Sequence, residues 1–122
     1  MQSETITQGN LSTVDWHEDC FKYCQFQDFE MEGEEIDSIF LVCTFANLDW
    51  YAGLFNICNF IRCEFVNCTF RGCSFPDCKF VECSFTNCQF LKNSFGSDGR
   101  FDRAIAYGCS FENVHNFNAL LK

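Results

Sequence analysis

The chain is short of basic residues and of long apolar runs. Eight Lys and Arg face 17 Asp and Glu, which leaves a formal net charge of −9 over 122 residues. Direct binding to nucleic acid is therefore disfavoured, because phosphate contacts require an excess of Lys and Arg. No apolar stretch approaches the roughly 18 residues of a membrane span. Residues 1–5 have neither a basic start nor an apolar core, so we expect no signal peptide and a cytoplasmic protein.

The residues that usually carry catalysis are scarce as well. His17 and His115 are the only histidines, and neither lies in a nucleophile, metal or phosphate motif. Carboxylates are plentiful, but no two of them stand apart as an acid and base pair. We therefore predict a non-enzyme with no catalytic residues, no cofactor and no metal site.

Phenylalanine and cysteine, by contrast, recur with a period of five. Phe stands at positions 55, 60, 65, 70, 75, 80, 85, 90 and 95, and Cys stands two residues earlier at 58, 63, 68, 73, 78, 83 and 88. Neither a helix nor a flat strand has this period, so it indicates a repeating structural unit. Such units bury their apolar sides by stacking on their neighbours.

The ring and the thiol, two residues apart, can both point to the inside of an extended step. If four steps close one square coil, residues twenty apart lie above one another, about 4.8 Å apart as in hydrogen-bonded strands. Ten of the 11 cysteines fit this inward position and are predicted to be reduced structural thiols, since their spacing suits neither zinc nor a disulfide framework. Cys20 falls at an outward position and is expected to be the reactive thiol.

These residues resemble the repeats of the pentapeptide-repeat protein family. Its consensus is a small residue, a polar residue, Leu or Phe, and two variable residues. Here Cys-x-Phe predominates, although residues 46–48 have the commoner sequence of the family, Ala-Asn-Leu. The resemblance implies an all-β fold, a right-handed quadrilateral β-helix with four repeats per coil. About five to six coils in a single domain, 1–122, are expected.

The repeat pattern divides this domain into four parts. They are irregular acidic coils at 1–40, regular coils at 40–95 after a one-residue deletion, a loop at 96–100 where the pattern is one residue too long, and a last coil with a C-terminal cap at 101–122. Phe29 suits the small inward position poorly, so residues 27–37 form either a coil or a loop.

The end of the chain loses the pattern. Its apolar residues have roughly helical spacing: Val114, Phe117, Leu120 and Leu121. They predict a short helix that caps the solenoid. The other interpretation is a dimer seam, because C-terminal segments of several family members form two-fold dimers. The protein is accordingly expected to be a monomer or a C-terminal homodimer.

The negative charge is gathered in the first third of the chain. Ten acids face Lys22 alone within residues 1–40, whereas seven acids balance seven bases from residue 41 onward. The densest group is Asp28, Glu30, Glu32, Glu34, Glu35 and Asp37. We predict that it binds a basic partner, because a patch of one sign steers association. A merely solvated face is the alternative.

Stacking by twenty also places Leu41, Ile61 and Val81 in one outward column. A stripe of exposed aliphatic residues can mark a protein interface, and we include these three among the predicted partner-binding residues. The alternative is that such residues simply suit a β-like step.

Together these features predict a solenoid that neutralises or shields a partner protein. Short length and polarised charge favour an immunity protein that blocks a cognate bacterial toxin. The alternative that the resemblance implies is a DNA mimic that binds DNA gyrase or topoisomerase IV and protects it from drugs or toxins. A plain interaction module is the third interpretation.

Overall fold

The computed structural model describes residues 1–17, 20–92 and 101–122. The strands are β1 (Thr5–Ile6), β2 (Cys20–Lys22), β3 (Gln25–Glu32), β4 (Glu35–Ile36), β5 (Ile39–Leu41), β6 (Thr44–Tyr51), β7 (Leu54–Phe55), β8 (Asn59–Ile61), β9 (Glu64–Val66), β10 (Thr69–Arg71), β11 (Lys79–Val81), β12 (Ser84–Leu91), β13 (Ile105–Tyr107), β14 (Ser110–His115) and β15 (Leu120–Leu121). A 3-10 turn at Leu11–Thr13 follows β1.

The strands stack in parallel into a β-solenoid of about four turns, with partial coils at both ends. One sheet has the order β15-β13-β11-β8-β5-β2, and a second has the order β1-β3-β6-β10-β12-β14 with β9 between β6 and β12. A third sheet pairs β4 with β7. The predicted all-β fold of stacked coils is confirmed.

We number the four faces of a coil in chain order. Face 1 is the sheet from β2 to β15, and face 4 contains β4 and β7. The strands β3, β6 and β12 are eight residues long and turn a corner, so that their first halves form face 2 and their second halves face 3. Faces 1 and 3 therefore lie on opposite sides of the solenoid.

The predicted stacking of residues twenty apart is present in the regular coils. Phe60 pairs with Phe80, and their ring centroids are 4.9 Å apart. The rings of Phe65 and Phe85 stack at 4.6 Å with an interplanar angle of 3°. Rings on neighbouring faces meet edge to face instead, as between Phe60 and Phe65 at 63°. Stacked and edge-on contacts are the two arrangements that aromatic pairs prefer.

The offset between stacked residues changes at both ends of the regular coils. Phe21 pairs with Phe40, an offset of 19 that matches the predicted one-residue deletion. Phe85 pairs with Phe111, an offset of 26. The prediction of a single extra residue before the last coil was therefore wrong by five residues. The predicted loop at 96–100 and the predicted inward ring of Phe95 lie outside the described residues.

Residues 27–37 form a coil, which answers the question that the sequence left open. Phe29 is buried and pairs with Leu48, so two large side chains share the column in which Cys68 and Cys88 stand further along. The chain therefore stays in the coil at this corner instead of looping out. Glu34 avoids the interior because its backbone is left-handed, with φ of 73°, and its side chain is exposed.

The inward thiols satisfy backbone groups of the preceding coil. Cys63 Sγ donates to the carbonyl oxygen of Phe40 at 3.2 Å, and Cys83 Sγ donates to that of Phe60 at 3.2 Å. All 11 cysteines are free thiols, of which Cys20 and Cys109 are half-buried and the others are buried. Burial raises the pKa of Cys78, and it raises the pKa of Cys73 to about 12.

Single aromatic rings cover the two ends of the core. The predicted C-terminal capping helix is wrong: residues 114–122 complete β14 and form β15, because the chain continues the coil. Phe117 lies over the end of the stack, with its ring centroid 4.8–5.3 Å from those of five core rings: Phe80, Phe85, Phe90, Phe101 and Phe111. Trp16 occupies the corresponding place at the other end and contacts Phe21, Phe26 and Trp50.

No helix in the described part of the chain is both long enough and apolar enough to cross a membrane.

Candidate functional site

The six predicted acidic residues form a belt around one coil. We call them the acidic belt: Asp28, Glu30, Glu32, Glu34, Glu35 and Asp37. All six side chains are exposed, because each stands beside an inward residue of β3 or β4 or at a corner. The belt begins at the corner between faces 2 and 3, follows face 3, and ends on face 4 beside the buried Ile36.

Part of the charge of the belt is already paired. Asp37 Oδ1 lies 2.8 Å from His17 Nδ1, and this hydrogen bond raises the pKa of His17. Asp28 accepts a hydrogen bond from the side-chain amide of Asn47 at 2.9 Å. Within the described residues, no side-chain partner holds the carboxylate of Glu30 or Glu32. The two carboxylates on face 3 are therefore available to a binding partner.

The surroundings of Glu30 are well ordered by backbone and side-chain bonds. The Gln8 side chain accepts from the Glu30 N–H at 2.9 Å and donates to its carbonyl oxygen at 3.4 Å. Glu30 is in register with Asp49, whose carboxylate lies 3.6 Å from Arg71 Nε. Next to this column lies an open groove of about 380 Å³ that Glu32 and Tyr51 also line. The acids are thus presented by a rigid surface with a shallow depression.

The predicted aliphatic stripe also has the expected register. Leu41 pairs with Ile61, and Ile61 pairs with Val81, so the three side chains form one column on face 1. Lys22 precedes them in the column and Tyr107 follows them. The three aliphatic side chains are half-buried. They form the wall of an open groove of about 520 Å³.

The structure does not bring the belt and the stripe together. Glu30 and Glu32 lie on face 3, and the column that contains Leu41 lies on the opposite face. Asp37, on face 4, is the belt residue nearest in sequence to face 1. A flat partner that covers the face 3 acids would leave the stripe uncovered.

The four predicted cap or seam residues lie at the C-terminal end of the stack. Val114 and Phe117 are half-buried, whereas Leu120 and Leu121 are about three-fifths exposed at 59% and 60%.

A ladder of side-chain amides along the corner between faces 2 and 3 was missed by the sequence analysis. Asp28, Asn47, Asn67, Asn87 and Asn113 occupy successive turns of this corner, all with φ between 53° and 58°. Asn67 Nδ2 donates to Asn47 Oδ1 at 3.2 Å, and Asn113 Nδ2 donates to Asn87 Oδ1 at 2.8 Å. Asn and Asp tolerate this left-handed conformation better than other residues with a Cβ. The spacing of Asn47, Asn67 and Asn87 by twenty was the available signal.

Nothing in this geometry favours a reaction centre. Among the described residues, no group of three or more His, Cys, Asp or Glu side chains could hold a metal ion. The interior is filled by stacked rings and thiols, so the chemistry that is accessible to another molecule lies on the outer faces.

A filled interior with ordered outer faces defines a β-solenoid scaffold. Residues 58–92 match the family model of pentapeptide repeats in eight copies, the family that these repeats resemble in sequence. A comparison with curated proteins gives no match. The pentapeptide-repeat β-solenoid is generally a structural or binding scaffold rather than an enzyme.

Proposed function

We propose that this chain is a non-enzymatic immunity protein, which binds a cognate bacterial toxin in the cytoplasm and neutralises it through the acidic belt. The observation that carries the proposal is the concentration of six exposed acids on one rigid coil. The coil is ordered before the partner arrives, so binding costs little conformational entropy on this side of the interface.

The chemistry of the belt suits a toxin with a basic surface around its active site. Such a surface is expected in a nuclease or in an enzyme that uses nucleotides, since both must attract phosphate. Carboxylates on a rigid coil can occupy that surface, and a patch of one sign raises the rate of association. The net charge of −9 favours the same encounter at longer range.

The distribution of charge along face 3 favours a toxin over a topoisomerase as the partner. A DNA mimic requires negative charge along the whole rod. The column from Glu30 continues with Asp49, and its next residues are Thr69 and Gln89. The neighbouring column from Glu32 reaches Arg71 two coils later. Negative charge therefore fades within about two coils.

The test is a comparison of two tagged variants with equal charge changes in a pull-down from native lysate. The belt variant carries Glu30→Gln, Glu32→Gln, Glu34→Gln and Glu35→Gln. The control variant carries Glu4→Gln, Glu64→Gln, Asp102→Asn and Glu112→Gln, which are exposed acids outside the belt. Mass spectrometry identifies what each variant and the parent chain retain.

We expect the parent and the control to retain one basic protein that the belt variant loses. Retention should weaken as salt is added, because the contact is electrostatic. Recovery of gyrase or topoisomerase IV subunits would refute the toxin proposal and favour the DNA-mimic alternative. Equal recovery by the belt variant and the control would exclude the belt as the binding surface.

A further inference from the structure

Face 1 carries a charge opposite to that of the rest of the molecule. The described residues of its strands, together with Lys122, include three bases, Lys22, Lys79 and Lys122, and no acid, while its two corners carry one ion pair each, Arg62 with Glu82 and Arg103 with Asp77. Glu82 is bonded to Arg62, with Oε2 3.1 Å from Nε. A chain of net charge −9 therefore presents one face with a local excess of positive charge.

The same face also carries an apolar surface that runs along the solenoid axis. The column of Leu41, Ile61 and Val81 lies beside Val42 and Tyr23, which are exposed to 43% and 58%. These side chains line the groove of about 520 Å³, and Lys22 lies at its N-terminal end. Tyr107, which continues the column, is 60% exposed.

The spacing of the column indicates the shape of its occupant. Below the stripe, the stacked rings of Phe40, Phe60 and Phe80 are 5.0 Å and 4.9 Å apart, so one stripe side chain recurs about every 5 Å. An α-helix returns to the same side every 5.4 Å or so, whereas same-side residues of an extended strand are about 6.8 Å apart. A helix along the solenoid axis matches the stripe better.

We propose that face 1 is a second docking surface, which binds an amphipathic α-helix of a partner protein whose aliphatic side is flanked by acidic residues. The aliphatic side chains of the helix lie in the groove along Leu41, Ile61 and Val81. Its carboxylates approach Lys22 and Lys79. Because face 1 lies opposite the face 3 acids, this helix and the toxin of the proposed function can bind at the same time.

The test uses the full chain and a model peptide of about 25 residues built from Leu, Glu and Ala, well above the length of about 12–15 residues below which isolated helices are marginal in water. Leu recurs at every third or fourth position, and Glu lies on both sides of the Leu stripe. One control peptide has the same composition in scrambled order, and a second has Lys in place of Glu. Binding is measured by calorimetry, and the site is mapped by shifts of backbone amide signals in NMR spectra.

The chain offers matched control variants. Ile61→Asp removes a half-buried aliphatic residue of the stripe, and Val66→Asp makes the same change at the equivalent repeat position on face 2. Lys79→Glu reverses a charge on face 1, and the double variant Thr69→Glu with Gln89→Glu adds two acids at equivalent positions on face 3, so that both lower the net charge by two. The charge variants do not touch the core, so they test the proposal even if an Asp variant fails to fold.

We expect saturable binding of the Leu and Glu peptide below about 1 mM, with shifts confined to face 1. Ile61→Asp should weaken binding about tenfold or more, since it places a charge against the aliphatic groove. Lys79→Glu should weaken it in a salt-dependent way, and the two control variants should bind like the parent.

Several results would overturn the proposal. They are equal binding of the scrambled or the Lys peptide, no saturable binding, or an equal loss in the control variants. A concentration-dependent dimer that Ile61→Asp abolishes would assign the stripe to a second copy of the chain. Binding to vesicles of phosphatidylserine and phosphatidylcholine, lost in Lys79→Glu, would assign it to an anionic membrane surface.

Discussion

A phenylalanine inside this solenoid has two kinds of aromatic neighbour, one above or below it and others around it. Phe70 stacks on Phe90 at 5.2 Å and meets Phe55 and Phe75 edge to face at 6.0 Å and 5.6 Å. Each ring thus contributes to its own coil and to the next one. Removing a ring leaves a hole between two coils that stiff β-strands cannot close.

Phe70→Ala should lower the free energy of unfolding by about 3–5 kcal/mol, because it leaves such a cavity. Urea unfolding followed by circular dichroism measures the change. Phe111→Ala is the matched control, since that ring is 38% exposed at the end of the stack and should cost less. A loss well under about 1 kcal/mol for Phe70→Ala would contradict the stacked core.

The corners offer a residue-scale test of backbone strain. Ile57 has φ of 56° although it is β-branched, and its side chain is 62% exposed. Ile57→Asn should stabilise the protein by about 1 kcal/mol, because Asn tolerates the left-handed region better and little burial is lost. Asn67→Ile, which makes the opposite change at the equivalent corner residue, should destabilise it by more than this amount, because it also removes the hydrogen bond from Asn67 to Asn47. Thermal and urea unfolding of both variants check the pair, and an unstable Ile57→Asn would refute the argument.

At the scale of strands and coils, most of the fold was predictable because the period of five is directly visible in the sequence. Each Phe marks an inward step, and twenty residues return to the same face. The covering of the last coil was not predictable in this way. Val114, Phe117, Leu120 and Leu121 have helical spacing, but coil pairing decided their conformation. The offset of 26 depends on where the chain rejoins the stack, and no local pattern encodes that point.

For the site, the sequence predicted which acids are exposed but not which face each one occupies. Five residues make one face, so Glu30 and Leu41, 11 positions apart, are separated by two corners. This count was available, and it would have placed the belt and the stripe on opposite sides. The amide ladder required a further step, namely the recognition that most of the described corners place a residue in the left-handed region.

The buried thiols predict that the protein loses folding stability at alkaline pH. Burial raises the pKa of Cys73 from 9.0 to about 12, so the folded state holds a proton that the unfolded chain releases at lower pH. The stability that the protonated Cys73 thiol contributes is therefore fully present below about pH 9 and is lost as the pH rises toward 12. Urea unfolding at several pH values measures the slope.

Cys73→Ala is the test of this assignment, because it removes one buried thiol from the titration. The variant should lose stability less steeply with rising pH than the parent, whatever its stability at neutral pH. Ser38→Ala is the control, since it removes a buried hydroxyl group that does not titrate in this range, and it should leave the slope unchanged. Identical slopes for parent and Cys73→Ala would refute the assignment.

Across the whole molecule, each coil is stabilised by the coils before and after it, so stabilising contacts follow the solenoid axis. In the described part of the chain, the strands pair with strands of the adjacent coils. A solenoid of this kind gains stability from the sum of its coil interfaces, and its ends open first. Trp16 and Phe117 close the two ends of the core with single rings.

Phe117→Ala should therefore loosen the C-terminal coils and leave the N-terminal ones protected. Hydrogen exchange should show faster exchange in β13 and β14, with little change in β3 and β5. Trp16→Ala should give the reverse pattern, which makes each variant the control for the other. Uniform loss of protection in both variants would show that the solenoid unfolds as one cooperative unit.

The twenty-residue register has a further consequence for how the molecule can change in length. Duplicating one regular coil adds twenty residues and keeps every column of stacked residues in place. The added side chains stack on side chains of the same kinds as those that they contact in the present coils. The duplication moves the acidic belt about 4.8 Å further from the C-terminal end. The distance between the acidic belt and the C-terminal end can thus change only in steps of whole coils, and each added coil also lengthens the aliphatic column on face 1 by one residue.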